Sequence, residues 1–152
     1  MTCPNLLNRT AFLTTIAYAE GTAGPDGYRM LFGGSLFTDF SDHPRKVITL
    51  PSGNRTISSS AAGRYQILKR TWDDVRRVID LPDFTPASQD LAAIELIRRR
   101  GALALVDAGK FAEAVDKCKK EWASLPGAGY GQPEKKLADL SKVFQDAGGI
   151  LA

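Results

Sequence analysis

Glu20 is the residue of this sequence best placed for acid–base chemistry. It follows Leu13 and Ile16 at helical spacing, so a helix ending at Glu20 carries all three side chains on one apolar face. Partial burial and the negative end of the helix dipole both disfavour an ionised carboxylate, and we therefore expect the pKa of Glu20 to be raised. A carboxylic acid that keeps its proton near neutral pH can protonate the oxygen of a leaving group.

Two glycine-rich segments, 62–66 (AGRYQ) and 125–132 (LPGAGYGQ), combine tyrosine with glutamine. Glycine allows close backbone approach, aromatic faces pack on the apolar side of a sugar ring, and amides hydrogen-bond to hydroxyl and N-acetyl groups. These segments predict a carbohydrate site. The predicted contact residues are Tyr65, Gln66, Tyr130 and Gln132.

The element that must position Glu20 is a first helix over Asn8–Glu20, with Asn8 as its N-cap and Gly21 just beyond its end. Residues 22–60 lack helical periodicity. Within them, the apolar runs 47–50 and 55–57 flank a four-residue turn at 51–54, which predicts a short β-hairpin.

The remaining chain is predicted to be helical. A short helix is expected over 61–69, and a second is expected to be capped by Thr71 with Asp74. Pro86 opens a longer helix, because proline suits the first helical position. Pro133 opens the last helix, which Gly148 and Gly149 end.

Apolar residues mark the inward faces of three of these helices, and together they predict an α+β protein that is mostly α. It would be a two-lobed single domain over 1–152, with a β-rich insertion at about 22–60 after the first helix. The inward residues are Leu91, Ile94 and Ile97, then Phe111, Val115, Cys118 and Trp122, then Leu137, Leu140 and Phe144.

Composition bounds the class of protein. The 152 residues are 43% hydrophobic, enough for one core, and 20 basic residues against 17 acidic ones give a formal net charge of +3. The densest basic run, Arg98–Arg100, falls where a helix ends and is interpreted as charge at the helix C-terminus. Since basic and acidic residues otherwise interleave, the sequence predicts no nucleic-acid partner, although the mild excess suits some anionic partner.

Cysteine and histidine usage predicts no metal site. Cys3 and Cys118 lie far apart, Cys118 is expected to be a small buried side chain, and a bridge between the two is left open. His43, the single histidine, is expected to make a structural hydrogen bond in a loop shaped by Asp42 and Pro44. No signal peptide or membrane span is predicted, so we expect synthesis as a soluble protein in the cytoplasm without stable membrane insertion.

Longer stretches of the chain resemble the lambda-type phage endolysins, which are endolytic peptidoglycan transglycosylases with a lysozyme-like fold. The resemblance extends over nearly the whole chain. The segments that carry it are 11–13 (AFL), 20–22 (EGT), 33–46 (GGSLFTDFSDHPRK), 62–68 (AGRYQIL), 84–90 (FTPASQD), 100–103 (RGAL) and 122–132 (WASLPGAGYGQ).

The resemblance implies that Glu20 is the catalytic acid and that the segments around Tyr65 and Tyr130 line a glycan cleft; Ser60 and Asp39 are further expected contacts. It also implies a monomer that needs no cofactor or metal. Such a protein is made in the host cytoplasm and acts in the periplasm after a separate holin permeabilises the membrane. One departure is Arg29 after Tyr28, where an acidic residue can occur in the family.

Two alternatives stay open at this level. One is a lysozyme-type hydrolase that pairs Glu20 with Asp39 or Asp42 as a second carboxylate, as hydrolysing glycosidases usually require. The other is a noncatalytic glycan-binding module, against which the partly buried acid argues, because simple binding gains nothing from it. Mass spectrometry of released muropeptides separates all three.

Overall fold

The structure is a computed structural model that describes residues 4–130 and 133–152. Its contacts divide the chain into two compact units. The helical unit comprises Met1–Gly21 with Ala93–Ala152, and the hairpin unit comprises Thr22–Ala92. One boundary lies between Gly21 and Thr22, and the other lies within helix α3 (Pro86–Arg99), whose first half belongs to the hairpin unit and whose second half belongs to the helical unit.

The helical unit is built around helix α1 (Pro4–Glu20), which packs against helices α4 (Leu103–Asp107) and α6 (Leu137–Asp146). An aromatic cluster fills its core, with Phe111 in edge contact with Phe12 at 5.9 Å and with Phe144 at 4.8 Å between ring centres. The helices of this unit are α1 (Pro4–Glu20), the second half of α3 (Pro86–Arg99), α4 (Leu103–Asp107), α5 (Phe111–Cys118) and α6 (Leu137–Asp146).

Asn8 does not cap α1, because the helix begins one turn earlier at Pro4; that prediction is wrong. The Asn8 side chain is instead buried, where its Nδ2 donates to the Val106 carbonyl at 3.1 Å and its Oδ1 accepts from the Ile150 amide at 2.9 Å. These partners lie 98 and 142 positions away, which is why local capping rules missed them. Asn8 ties the first half of α1 to the end of α4 and to the C-terminal segment.

The hairpin unit contains a 3₁₀ helix at Gly27–Arg29, strands β1 (Ile48–Ser52) and β2 (Arg55–Ser59), helix α2 (Lys69–Arg76) and the start of α3. The predicted hairpin is confirmed, but its loop is two residues long rather than four, since Ser52 pairs with Arg55. Gly53 supplies the positive φ of +61° that such a tight turn requires. Pro51 lies within β1, where a two-stranded ribbon tolerates a missing amide donor.

The helix predicted over residues 61–69 is wrong. This segment forms tight turns and isolated bridges, in which Ala62 pairs with both Leu31 and Ile67. Gly63 and Gln66 adopt positive φ values of +81° and +47°, which a helix does not allow. Helix α2 therefore starts at Lys69, and Thr71 lies inside it rather than at a cap.

Helix α3 starts at Pro86 as predicted. The prediction that Leu91 faces inward is wrong. Leu91 is 55% exposed, whereas Ile97 is fully buried and Ile94 is half-buried. The buried face is rotated toward smaller residues. It consists of Ala92, Ala93, Leu96 and Ile97.

The two last helices are shorter than predicted. Helix α5 ends at Cys118, and Trp122 is buried beyond the end of that helix. Helix α6 starts at Leu137 rather than at Pro133, and Leu137 is 40% exposed. Leu140 and Phe144 are buried as predicted, and Gly148 follows the helix with a φ of +99°.

Cys118 is the small buried residue that the sequence predicted, and burial raises the pKa of its thiol to about 12. Cys3 lies outside the described residues, and the question of a bridge lies there with it. In residues 4–130 and 133–152, every helix is too short or too polar to cross a membrane.

Replacing Asn8 with Ala should destabilise the protein by about 2 kcal/mol, because the buried Val106 carbonyl and Ile150 amide lose their partner. Asn5→Ala is the matched control, since Asn5 is an exposed residue of the same helix. Urea unfolding followed by circular dichroism measures both. Equal stability of the two variants would contradict the anchoring role of Asn8.

Candidate active site

Glu20 is the last residue of α1, and Gly21 ends the helix with a φ of +78°. The carboxyl group is largely withdrawn from solvent, and this burial raises its pKa from 4.5 to about 7. A hydrogen bond from the Ser124 hydroxyl to Glu20 Oε2, 3.0 Å long, acts in the opposite direction. The predicted upward shift is confirmed. Near neutral pH the group is divided between its acid and its carboxylate, as a residue that both donates and accepts a proton requires.

Ser124 could not be identified from the sequence, because it lies 104 positions from Glu20 in the chain. It begins the glycine loop, defined here as residues 124–130. The Ser124 carbonyl accepts a hydrogen bond from the Lys135 amide at 2.8 Å. Ser124 is only 8% exposed, so its hydroxyl is held against Glu20 rather than in bulk water.

A carboxylate also fixes the middle of the glycine loop. The two oxygens of Glu134 accept from the amides of Gly127 at 2.9 Å and Gly129 at 3.0 Å, and these bonds lower the pKa of Glu134. The neighbouring Lys135 lies with its ammonium 5.7 Å from the centre of the Tyr18 ring on α1. The glycine loop is thus held through its backbone by Glu134, and the adjoining Lys135 contacts α1 through Tyr18.

Tyr130, at the end of this loop, is 58% exposed. An exposed aromatic ring is available to stack on a sugar, so its predicted substrate contact stays a prediction. Gln132 lies outside the described residues.

Tyr65 lies in the hairpin unit and is fully buried, so its ring offers no face to a sugar. Its hydroxyl donates to Asp90 Oδ1 at 2.6 Å and accepts from Arg64 Nη1 at 2.9 Å. Burial, then the hydrogen bond to Asp90, raises the pKa of Tyr65 and keeps the phenol neutral. The part of Tyr65 in substrate binding stays a prediction, and the structure shows its hydroxyl bound within the protein.

Tyr65 belongs to a polar cluster whose other members are partly exposed. Tyr28 donates to the same Asp90 oxygen at 2.9 Å, and its ring meets that of Tyr65 edge-on at 6.4 Å. The Arg64 guanidinium lies 5.3 Å from the centre of the Tyr28 ring. Tyr28 and Arg64 thus present hydrogen-bonding groups at the surface of the hairpin unit, and the sequence analysis named neither as a contact.

Gln66 and Ser60 both serve local structure. The Gln66 amide nitrogen donates to the carbonyls of Met30 at 3.1 Å and Gly63 at 2.9 Å, which stabilises its positive φ. The Ser60 hydroxyl accepts from the Lys69 amide at 3.1 Å at the start of α2. Both side chains are half-buried, and their substrate contacts stay predictions.

Asp39 and Asp42, the two candidates for a second catalytic carboxylate, have lowered pKa values, whereas the pKa of Glu20 is raised. Asp39 is exposed, and hydrogen bonds from Ser41 lower its pKa. Burial disfavours the ionised form of Asp42, but the hydrogen bond from Arg45 and the charge of Arg76 outweigh it and lower the pKa. Asp42 binds these arginines at 3.0 and 2.9 Å and links the loop to α2.

His43 makes the structural contacts predicted for it. Its ring is 2% exposed, and Nδ1 accepts from the Arg45 amide at 2.9 Å, so Nε2 carries the proton and donates to the Ile67 carbonyl at 2.8 Å. Burial lowers the pKa of this imidazole. Arg29, which follows Tyr28, is exposed, and its guanidinium lies 5.5 Å from the centre of the Phe40 ring.

A family model described as Endolysin matches residues 10–151, which is most of the chain. The chain belongs to the endolysin family. The endolysin of Escherichia phage lambda is 49% identical over 149 residues, covering 94% of this chain and 92% of the relative. The endolysin of Escherichia phage P2 is 44% identical over 161 aligned positions, covering 95% of each chain.

Solved structures related to the endolysin family agree. Bacteriophage lambda lysozyme complexed with a chitohexasaccharide has a TM-score of 0.89 and 46% identity, covering 96% of this chain and 97% of that one. A second structure of lysozyme from bacteriophage lambda has a TM-score of 0.85 at the same identity. The mostly helical α+β lysozyme-like fold that the sequence predicted is confirmed, as is the resemblance itself.

Replacing Ser124 with Ala removes the hydrogen bond that lowers the pKa of Glu20, so that pKa should rise above about 7. The pH at which activity falls on the alkaline side should move upward with it. A pH–rate profile on purified cell walls measures the shift. Ser141→Ala, on α6, is the control, and an unchanged alkaline limb in Ser124→Ala would contradict the assigned contact.

Glu20→Gln should stabilise the fold at alkaline pH. The pKa of Glu20 is raised by folding, so stability is lost as pH rises from about 4.5 through about 7, where the unfolded chain ionises before the folded one. The loss reaches up to about 3 kcal/mol, and a glutamine does not incur it. Unfolding in urea at pH 4 and pH 8 measures the difference, with the exposed Glu113→Gln as control. A pH-independent difference would contradict burial as the cause.

Proposed function

We propose that this chain is an endolytic peptidoglycan transglycosylase of a bacteriophage. It cleaves the β-1,4 bond between N-acetylmuramic acid and N-acetylglucosamine. The observation that carries the proposal is the buried Glu20 carboxyl, with its pKa near 7 and one hydrogen-bond partner in Ser124. Family membership supports the substrate class, as does the chitohexasaccharide complex of lambda lysozyme, because that ligand is a glycan.

Glu20 performs two proton transfers in this mechanism. As an acid it protonates the glycosidic oxygen while the bond from that oxygen to C1 of muramic acid breaks. As a carboxylate it then takes the proton from the muramic 6-hydroxyl while that oxygen bonds to C1. The product has a 1,6-anhydro end, no water is consumed, and Glu20 returns to its acid form. The Ser124 hydrogen bond stabilises the carboxylate between the two steps.

This reaction needs no second catalytic carboxylate, and that separates it from hydrolysis. Asp39 and Asp42 both have lowered pKa values, and Asp42 is bound by two arginines. A carboxylate held in ion pairs is a poor nucleophile and a poor base. The two arginines that bind Asp42 argue against its use as a nucleophile or base, and so favour transglycosylation over a lysozyme-type hydrolase that would use that aspartate.

The proposal extends to how the protein works in the cell. The chain acts as one catalytic domain and as a monomer on peptidoglycan strands. It is made in the host cytoplasm and reaches the cell wall after a separate holin permeabilises the inner membrane. Tyr130, exposed at the end of the glycine loop, stacks on a sugar ring in this proposal.

Digestion of purified cell walls in heavy-oxygen water tests the reaction. Transglycosylation gives muropeptides that are one water lighter than hydrolytic products and that carry no label at C1, as mass spectrometry would detect. Glu20→Gln should abolish their release, because an amide cannot donate an acidic proton. Asp39→Asn and Asp42→Asn should lower the rate modestly, through loop stability. Labelled reducing ends, with near-total inactivation by either aspartate variant, would establish hydrolysis instead.

A further inference from the structure

A basic groove lies in the helical unit where helices α3 and α5 end. Its volume is about 450 Å³. All the residues that line it are charged, and only one of them is acidic. They are Arg99, Arg100, Asp116, Lys117, Lys119 and Lys120.

This groove carries the charge excess of the whole protein. Together with Arg98 and the carboxylates of Glu95 and Glu121, which pair with its arginines, it contains six cations and three carboxylates. The resulting +3 equals the formal net charge of the entire chain, so the charges of all the other residues sum to zero. The mild overall excess seen in the composition is therefore concentrated at one place.

Local ion pairs use only part of this positive charge. Arg100 binds Glu121 at 2.6 Å and Lys119 binds Asp116 at 2.8 Å, which fixes these side chains around the groove. Lys117 and Lys120 are exposed. The charge of Lys117 helps to lower the pKa of Asp116, but neither lysine forms a close ion pair with any residue in 4–130 or 133–152. Two lysine ammonium groups thus remain for an anionic ligand.

The groove borders the loop that carries the hydrogen-bond partner of Glu20. A Cβ atom built at Gly127 would lie 3.6 Å from Lys119 Cδ and 3.8 Å from Lys119 Nζ. Gly127 belongs to the glycine loop, in which Ser124 binds Glu20 at 3.0 Å. The Lys119 side chain of the groove therefore lies beside the loop that carries Ser124, in the same unit as Glu20.

We propose that the basic groove binds the free carboxylates of the peptide stems that branch from peptidoglycan. The inference rests on the proposed function and adds recognition of the stems to cleavage of the glycan. Stem carboxylates are flexible, spaced anions, and lysines with long mobile side chains suit them as point charges. A membrane surface suits the groove less, because interfacial binding also needs apolar side chains and the groove has none.

Binding to purified cell walls tests the proposal without depending on the reaction, if every variant also carries Glu20→Gln. Lys117→Gln with Lys120→Gln should weaken binding about fivefold at low ionic strength, and the difference should fade in high salt. Lys110→Gln with Lys136→Gln is the matched control, since it removes two exposed lysines of the same unit outside the groove. Cell walls whose stem carboxylates have been converted to amides should bind all forms equally.

Other outcomes overturn the proposal. Equal binding by the groove variant and the control would show that Lys117 and Lys120 do not bind the cell wall and act only as charges at the end of a helix. The same loss on amidated cell walls would show that stem carboxylates are not the ligand. A loss restricted to vesicles of anionic phospholipid would assign the groove to a membrane instead. The proposed function is tested separately from this binding: if it is wrong, the wild-type protein leaves the glycan strands of the cell wall uncleaved.

Discussion

The burial of one carboxyl group at the end of a helix is the constraint on which the site depends. Desolvation raises the pKa of Glu20 to about 7, so the group keeps its proton up to about neutral pH. The hydrogen bond from the Ser124 hydroxyl stabilises the carboxylate form. Desolvation without the hydrogen bond would favour the acid form further, and the hydrogen bond without desolvation would favour the carboxylate. A residue that must first give and then take the same proton needs both forms at similar free energy.

Much of the helical unit serves to hold that balance. Asn8 anchors the other half of α1 to the end of α4 and to the C-terminal segment, and α6 packs along the same helix. Glu134 binds two amides of the glycine loop, so the Ser124 hydroxyl arrives at Glu20 on a supported backbone. A small displacement of this loop would remove the hydrogen bond from Ser124, which opposes the effect of desolvation on the pKa of Glu20.

Features with local causes could be predicted from the sequence, and features with distant causes could not. The periodicity of α1 with Gly21 after it identified Glu20, and proline at the first position identified the start of α3. Ser124 was missed because its partner lies 104 residues away. The false helix at 61–69 arose because a left-handed Gln66 has no signature in composition, and the burial of Tyr65 depends on Asp90 in another element.

The most direct test of this account is the titration of the Glu20 carboxyl itself. Carbon-13 NMR of the side-chain carboxyl group, assigned by comparison with Glu20→Gln, follows its protonation across the pH range. The account predicts a midpoint of about 7. A midpoint near 4.5, the ordinary value for a glutamate in water, would mean that the group is fully ionised at neutral pH, and would contradict its role as the acid that starts the reaction.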